Sequence, residues 1–353
     1  MLELGAVDWE SLTHAYGPAG DVPLTLKALA EGKISASEAA DVLSGSIWHQ
    51  GTVYEATAYA VPFLIEALQN KRVIDKEWLL SLLSNLAAGS SHDAEQGKLW
   101  VQRAHDAVCQ GIPSYLFLLK SRRPAVRAAA ALVLSRFLES ARAIVPQVRL
   151  YLQREKSHDV RASLMLCLGV LSDSDPETCR VLENALQTRK SDPQRLAAAI
   201  GLVYLDKDKS GQKPVTILQE TLADPQSFPE AFVFSLWDID ADPGVSLYET
   251  IRLMGQERAV AAFIELLGRI EEPIDPLVDF LLDTAFETYR GKTITLEMLT
   301  PLQRSALNAL LAADAAWDSD QKWETNSVGS LDWQYGLPTS RTEIGQFLRK
   351  DSE

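Results

Sequence analysis

One stretch of the chain recurs with a period of 34 residues. An arginine occupies the same place in three consecutive copies, at Arg127, Arg161 and Arg195. Each of these arginines lies at or near the start of an apolar helical run. A second apolar stripe precedes each copy with the same spacing, marked by Leu118, Leu152 and Leu186. Two helical stripes in every 34 residues predict a helical hairpin whose apolar face is buried by the next hairpin.

The rest of the chain keeps the helical spacing without the strict period. Apolar residues at i, i+3, i+4 and i+7 indicate amphipathic helices. The segments with this spacing are 22–31, 36–48, 55–69, 75–88, 102–120, 215–223, 229–237, 244–254, 257–270, 276–286, 296–317 and 342–350. No apolar–polar alternation is flanked by Asn-Gly or Asp-Gly turns, so no strand is predicted.

These patterns predict an all-α fold, an α-solenoid of helical hairpins that forms a right-handed superhelical array. We expect residues 1–20 to form an N-terminal extension or cap and residues 21–317 to form the solenoid. Residues 318–353 are expected to form an irregular segment containing tryptophan, followed by a capping helix.

Two parts of the sequence resemble known helical-repeat proteins. The Val-Arg-Ala segments at Arg127 and Arg161, their period, and proline in the first helix of a pair are similar to HEAT repeats over residues 110–205. The segments 14–23, 47–54 and 60–65 resemble a group of bacterial HEAT-repeat proteins, some of which act as immunity proteins beside polymorphic toxins. This resemblance implies a protein-binding role and carries over no catalytic residue.

Charge is distributed unevenly along the chain. The net charge is −14 overall, with −7 over residues 1–119, +6 over 120–190, +1 over 191–217 and −14 over 218–353. An acidic chain is unsuited to coating nucleic acid or an anionic membrane, and an acidic surface attracts a basic partner. We therefore expect a basic protein partner, which the resemblance implies is a toxin domain whose active site would be occluded.

The acidic C-terminal third interleaves carboxylates with tryptophan, a residue enriched among those that dominate interface energetics. The alternative is that these carboxylates only solvate helix faces. The predicted partner-binding residues are Trp317, Asp318, Asp320, Trp323, Glu324, Trp333, Tyr335, Glu271, Glu272, Asp275 and Asp279.

A second polar cluster is predicted near the N-terminus, where two glycine-bearing connections carry polar and aromatic side chains. Its members are His14, Tyr16, Asp21, His49, Gln50 and Tyr54. Neighbouring loops of a solenoid lie side by side, so the two connections are expected to meet. The cluster could cap helices and tie the first hairpins together, bind a small ligand or a partner, or support acid–base chemistry by a histidine with Asp21.

The arginines in register, Arg127, Arg161 and Arg195, are predicted to be a structural ladder. Each is expected to bind an acid or a helix-end carbonyl of the neighbouring repeat. The alternative is a phosphate-binding stripe with Arg122, Arg123, Arg149 and Arg154, as in a nucleic-acid-binding or DNA-lesion-processing HEAT-like protein. A scaffold or adaptor for enzyme assembly is a third possibility.

Motifs for catalysis, cofactors and metals are missing from the sequence. The five histidines form no H-x-x-x-H or H-E-x-x-H pattern, and there is no C-x-x-C, G-x-S-x-G or G-x-x-x-x-G-K-[ST]. We therefore expect no enzyme activity, cofactor or metal. Cys109, Cys167 and Cys179 are expected to be buried thiols, and with no signal-peptide pattern at the start the expected location is the cytoplasm.

Overall fold

The structure, a computed structural model, describes residues 3–91, 96–173, 175–189, 192–224, 243–270, 275–286, 294–317 and 335–349. Most of these residues are helical, which confirms the predicted all-α class. They fall into two compact units. The first runs to Gly201, and the second contains residues 202–224 and the described residues after Pro243. No helix within the described ranges is long and apolar enough to cross a bilayer.

The helices of the first unit follow most of the predicted segments, although the helix predicted over 36–48 ends at Ser44. They are α1 (Val22–Glu31), α2 (Ala36–Ser44), α3 (Glu55–Gln69), α4 (Lys76–Ala88), α5 (Gly97–Cys109), α6 (Ile112–Leu118), α7 (Pro124–Leu134), α8 (Ala141–Arg154), α9 (His158–Leu171), α10 (Pro176–Ala185) and α11 (Pro193–Asp206), whose last residues belong to the second unit. Local signals set several ends. Gly32 ends α1 in the left-handed region, and Ser35 with Glu38 forms a capping box at the start of α2.

Alternate helices of the first unit pack on one another. Helix α2 packs on α4, α4 on α7, and α7 on α9, while α1 packs on α3 and α3 on α5. Helix α9 buries most of its residues on all sides, which is typical of a helix enclosed by others. A Cβ on Gly169 of α9 would lie only 2.3 Å from the Cα of Gly201, so glycine permits the backbones of α9 and α11 to touch.

The prediction of a single helix over 102–120 is wrong, because α5 and α6 are separate. The Tyr115 side chain is fully buried, and its hydroxyl donates to the carbonyl oxygen of Val108 at 2.9 Å. Its ring lies against Gly111, where a Cβ would stand 2.2 Å from the tyrosine oxygen. Tyr115, folded back on Gly111, thus separates α5 from α6.

The second unit contains the remaining helices. They are α12 (Gln212–Ala223), α13 (Pro243–Arg252), α14 (Gln256–Leu267), α15 (Asp275–Phe286), α16 (Pro301–Ala312) and α17 (Arg341–Arg349). Helix α14 packs on α12, α15 and α16, and α17 packs on α16. The predicted terminal helix at 342–350 is therefore present, displaced by one residue. The predicted helix at 229–237 lies outside the described residues.

The predicted helix over 296–317 is also divided. Leu296–Met298 and Asp314–Trp317 form short 3₁₀ turns on either side of α16. The hydroxyl of Thr300 accepts from the backbone N–H of Gln303, and the Gln303 side chain accepts from the backbone N–H of Thr300. This capping box, with proline at the first helical position, starts a new helix where the apolar pattern alone predicted continuity.

The absence of strands, predicted from the sequence, is also wrong. Two short antiparallel pairs occur in the first unit: β1 (Thr13–His14) with β2 (Gly17–Pro18), and β3 (Trp48–His49) with β4 (Thr52–Val53). We refer to residues 13–18 and 48–53 together as the β-hairpin pair.

Candidate functional site

The turn of the second β-hairpin explains why the sequence pattern did not predict this hairpin. Gln50 and Gly51 both have positive φ, 49° and 83°, as a two-residue turn between right-twisted strands requires. Asn-Gly and Asp-Gly are the usual pairs for this turn, and glutamine is uncommon there. The informative signal was a glycine at the second turn position, because glycine accepts positive φ without steric cost.

The β-hairpin pair brings the two predicted connections together. The backbone N–H of Ala15 donates to the carbonyl of Ser46, next to β3, at 3.1 Å. The Tyr16 ring meets the His49 ring edge to face, with centroids 5.6 Å apart. The backbone of Ser90 holds the second β-hairpin in place. Its N–H donates to the carbonyl of Gly51, and its carbonyl accepts from the N–H of Val53. The two connections thus form one surface, as their positions in the sequence predicted.

His14 lies beneath this surface and its ring nitrogens are both engaged. Its Nε2 lies 2.9 Å from Oδ1 of Asp21, and its Nδ1 accepts from the backbone N–H of Tyr16 at 3.0 Å. Because Nδ1 accepts a hydrogen bond, it carries no proton. The ring N–H is therefore at Nε2 and donates a hydrogen bond to the carboxylate of Asp21. The His14 side chain is nearly buried, so it holds the first β-hairpin in place and presents no free nitrogen for acid–base chemistry.

Tyr16 is the most exposed aromatic side chain of the cluster. Its side chain is 73% exposed, although the backbone beneath it is fixed by the hydrogen bonds of the β-hairpin. Tyr54, at the start of α3, is half-buried, and burial together with the neighbouring Tyr16 raises the pKa of the Tyr54 phenol. An exposed aromatic ring on a rigid support is suited to binding, because little side-chain entropy remains to be lost.

The predicted partner-binding residues near the C-terminus are only partly described. Seven of them lie outside the described residues: Asp318, Asp320, Trp323, Glu324, Trp333, Glu271 and Glu272. The side chain of Asp275 also lies outside the described part of the chain. Asp279 is exposed on α15. Trp317 is half-buried, and its indole N–H donates to the carbonyl of Leu310 at 2.7 Å.

The expectation that Tyr335 contacts a partner is wrong. Its side chain is only 1% exposed and its ring packs against Phe286, with centroids 5.6 Å apart. Its hydroxyl donates to the carboxylate of Asp283. The ring therefore belongs to the interior of the second unit, where its apolar body is buried and its polar end is satisfied.

The arginine ladder has the geometry expected of a structural element. Arg127 forms a bidentate pair with Glu155, at 2.7 and 2.9 Å, and also donates to the carbonyl of Ser121. Arg161 donates to the side chain of Gln194 in the next copy and to the carbonyl of Leu152 at the end of α8. Arg195 also takes part in an interaction. Arg127 and Arg161 thus join consecutive repeats.

Other arginines of the basic stretch are paired as well. Arg123 lies 2.7 Å from Asp75 and 2.8 Å from Glu77, and Arg149 lies 2.6 Å from Asp175 and 2.9 Å from Glu177. These carboxylates lie at the starts of other helices, α4 and α10. The ion pairs reduce the positive charge that this stretch could offer to phosphate groups.

Sequence reasoning missed a cluster around His105. Its Nδ1 lies 2.9 Å from the carbonyl of Ala87 and its Nε2 lies 3.0 Å from Glu139, so both nitrogens face acceptors. Burial lowers the pKa of His105, but these two hydrogen bonds and the negative charges of Glu139 and Asp106 together outweigh burial and raise it overall. The period could have revealed the pair, since His105 and Glu139 are 34 residues apart, as are the bonded His158 and Asp192.

The thiols differ in their surroundings. Cys167 is fully buried, as predicted, whereas Cys109 and Cys179 are only half-buried. Burial, together with the carboxylate of Glu139 3.6 Å from the sulfur, raises the pKa of Cys109 and disfavours the reactive thiolate. No group of three or more potential metal ligands occurs among the residues that the structure describes.

Comparisons with known proteins add little to this picture. No protein-family model and no curated protein matches the chain. A crystal structure of an engineered protein is similar at 17% sequence identity, covering 94% of this chain and 85% of the other, with a TM-score of 0.34.

Proposed function

We propose that the chain is a non-catalytic helical-repeat protein that binds a protein partner. The proposal takes the hairpins to form a HEAT-like α-solenoid, a right-handed superhelical array with an extended binding surface. The single observation that supports it best is the packing of the first unit, in which α2, α4, α7 and α9 contact one another in turn. Side-chain pairs one period apart, such as His105 with Glu139, agree with stacked repeats.

The more specific proposal is an immunity protein that neutralises a bacterial toxin in the cytoplasm. It is supported by the resemblance of segments 14–23, 47–54 and 60–65 to HEAT-repeat proteins of this kind. The net charge of −14 favours a basic toxin domain, since complementary charge accelerates encounter and disfavours wrong partners. Binding would occlude the active site of the toxin without any covalent chemistry.

The basic stretch has a structural role in this proposal. Its arginines Arg123, Arg127 and Arg149 are already paired with carboxylates, so they are weak candidates for a nucleic-acid interface. The acidic C-terminal segment around Trp323 stays a predicted partner contact.

The proposal predicts a toxin-like open reading frame directly beside the gene for this chain, and it is tested by co-expressing the chain with the toxin domain encoded there. Growth should be rescued, and the two purified proteins should elute together from a size-exclusion column and separate at high salt. A matched control is an unrelated toxin domain of similar size and charge, which should not be neutralised. Failure to rescue growth, with no complex at low salt, would contradict the proposal.

A further inference from the structure

We propose that the β-hairpin pair is the site that captures an arginine side chain of the protein partner. The inference rests on the proposed function and names the part of the molecule that would make the contact. Tyr16 would receive the guanidinium on its ring, and the carboxylates of Asp21 and Glu55 would supply the opposite charge.

The first argument is preorganisation of the aromatic surface. Tyr16 is 73% exposed, yet its backbone N–H is held by His14 and its ring contacts His49. The T-shaped arrangement fixes the ring without covering it. A cation placed over a tyrosine ring is attracted by the ring quadrupole, and arginine is the commoner partner in such contacts.

The second argument is the charge at the first β-hairpin. Asp21 is held through His14, with 62% of its side chain still exposed. Glu55 accepts from the hydroxyl of Thr13 in β1 at 3.3 Å. Two carboxylates are therefore tied to the base of the first β-hairpin, one through His14 and the other through Thr13.

These two arguments together favour arginine over other ligands. Guanidinium is planar, stacks on aromatic faces and donates to carboxylates from several N–H groups. An aromatic ring without carboxylates would favour an apolar partner, and carboxylates without a ring would bind any cation. The combination is therefore selective for a planar cation on a basic protein.

The inference is tested with a fluorescein-labelled hexa-arginine peptide, followed by fluorescence anisotropy at low salt. The wild-type chain should bind this peptide more tightly than a hexa-citrulline peptide, which has the same shape without the charge. Tyr16→Ala should weaken hexa-arginine binding about fivefold, the effect of a cation–π contact at an exposed site. Tyr16→Phe keeps the ring and should bind like the wild type.

The matched control is Tyr59→Ala, since Tyr59 is an exposed tyrosine on α3 outside the β-hairpin pair. This variant should bind the peptide as the wild type does. Equal weakening by Tyr16→Ala and Tyr59→Ala would contradict the inference, because it would show diffuse attraction to an acidic surface. Unchanged binding by Tyr16→Ala, or equal binding of the two peptides, would also overturn it.

Failure here is distinguishable from failure of the proposed function. The peptide experiment needs no toxin, so it can succeed or fail whether or not the toxin is neutralised. If the toxin forms a complex and Tyr16→Ala binds it as tightly as the wild type does, the proposed function stands and the assigned site is wrong.

Discussion

The basic middle of the chain and its acidic N-terminus use their charges in different ways. In the middle, Arg123, Arg127 and Arg149 are paired with carboxylates. At the N-terminus, Asp21 is bonded to His14 and keeps most of its side chain exposed, and the ring of Tyr16 is exposed as well. The net charge of a segment therefore does not show where a partner binds, because pairing within the fold decides which charges reach the solvent.

The largest expected effect is on the close helix contact of the middle region. Gly169→Ala would place a Cβ 2.3 Å from the backbone of Gly201, and backbone cannot move aside as a flexible side chain can. We expect a loss of about 2 kcal/mol or more in the free energy of unfolding, measured by chemical denaturation. The usual gain of about 1 kcal/mol for replacing glycine by alanine in a helix would be outweighed.

The matched control is Gly345→Ala in α17. A Cβ at Gly345 meets only the end of the Arg349 side chain, at 3.2 Å, which can shift. This variant should be neutral or slightly stabilising. Equal losses in the two variants would contradict the account of close backbone packing between α9 and α11.

The next largest effect on stability is expected at the pair of Arg127 with Glu155, and it tests whether the arginines of the basic stretch stabilise the fold. Arg127 and Glu155 are 17% and 10% exposed, so removing one partner leaves the other desolvated without its counter-charge. Glu155→Ala should cost about 2 kcal/mol of stability, because it also removes the acceptor for the backbone N–H groups of Lys156 and Ser157.

Glu155→Gln keeps an acceptor oxygen without the charge and should cost less than Glu155→Ala. Burial opposes the ionisation of Glu155, but hydrogen bonds from Arg127, Ser157 and Lys156 outweigh burial and lower its pKa. The contribution of the pair should thus be present above the ordinary glutamate pKa and be lost as the pH falls through the lowered value. A stability difference between wild type and Glu155→Gln that does not shrink in acid would contradict this.

A smaller effect is expected at His105. Its raised pKa means that the folded chain holds the proton more tightly than the unfolded chain. Its contribution should be complete below the ordinary histidine pKa and should disappear as the pH rises through the folded-state value. The difference in unfolding midpoint between wild type and His105→Gln should therefore shrink from pH 5.5 to pH 8. A difference that is the same at the two pH values would contradict this.

The smallest effect on stability is expected at the N-terminal surface. Tyr16→Ala should change the free energy of unfolding by less than about 0.5 kcal/mol, because its ring is largely exposed. The same variant should still weaken the binding of the arginine peptide. A large loss of stability would mean that Tyr16 supports the fold. It would contradict the difference drawn here between the paired arginines of the basic stretch and an exposed N-terminal surface.

The sequence predicted those features that depend on apolar spacing. Helices α1 and α3 have the predicted bounds, and the 34-residue period places Arg127 and Arg161 where they join neighbouring repeats. The period also contains the His105–Glu139 pair, although neither residue belongs to an obvious motif.

What the sequence could not predict depends on single local contacts. The break at Gly111 requires Tyr115 to fold beneath it, and the second β-hairpin requires Gln50 at positive φ. The sequence predicted that the His14 and His49 connections meet, but it did not predict the exposure of Tyr16. Tyr335, predicted to face a partner, is buried because Phe286 and Asp283 complete its surroundings.

Hydrogen–deuterium exchange of the chain with and without a basic toxin domain that it neutralises tests the central claim most directly. The account predicts slower exchange in residues 13–18 and 48–53 on binding, and little change in α7 and α9. Slower exchange confined to α7 and α9, with the β-hairpin pair unaffected, would contradict it.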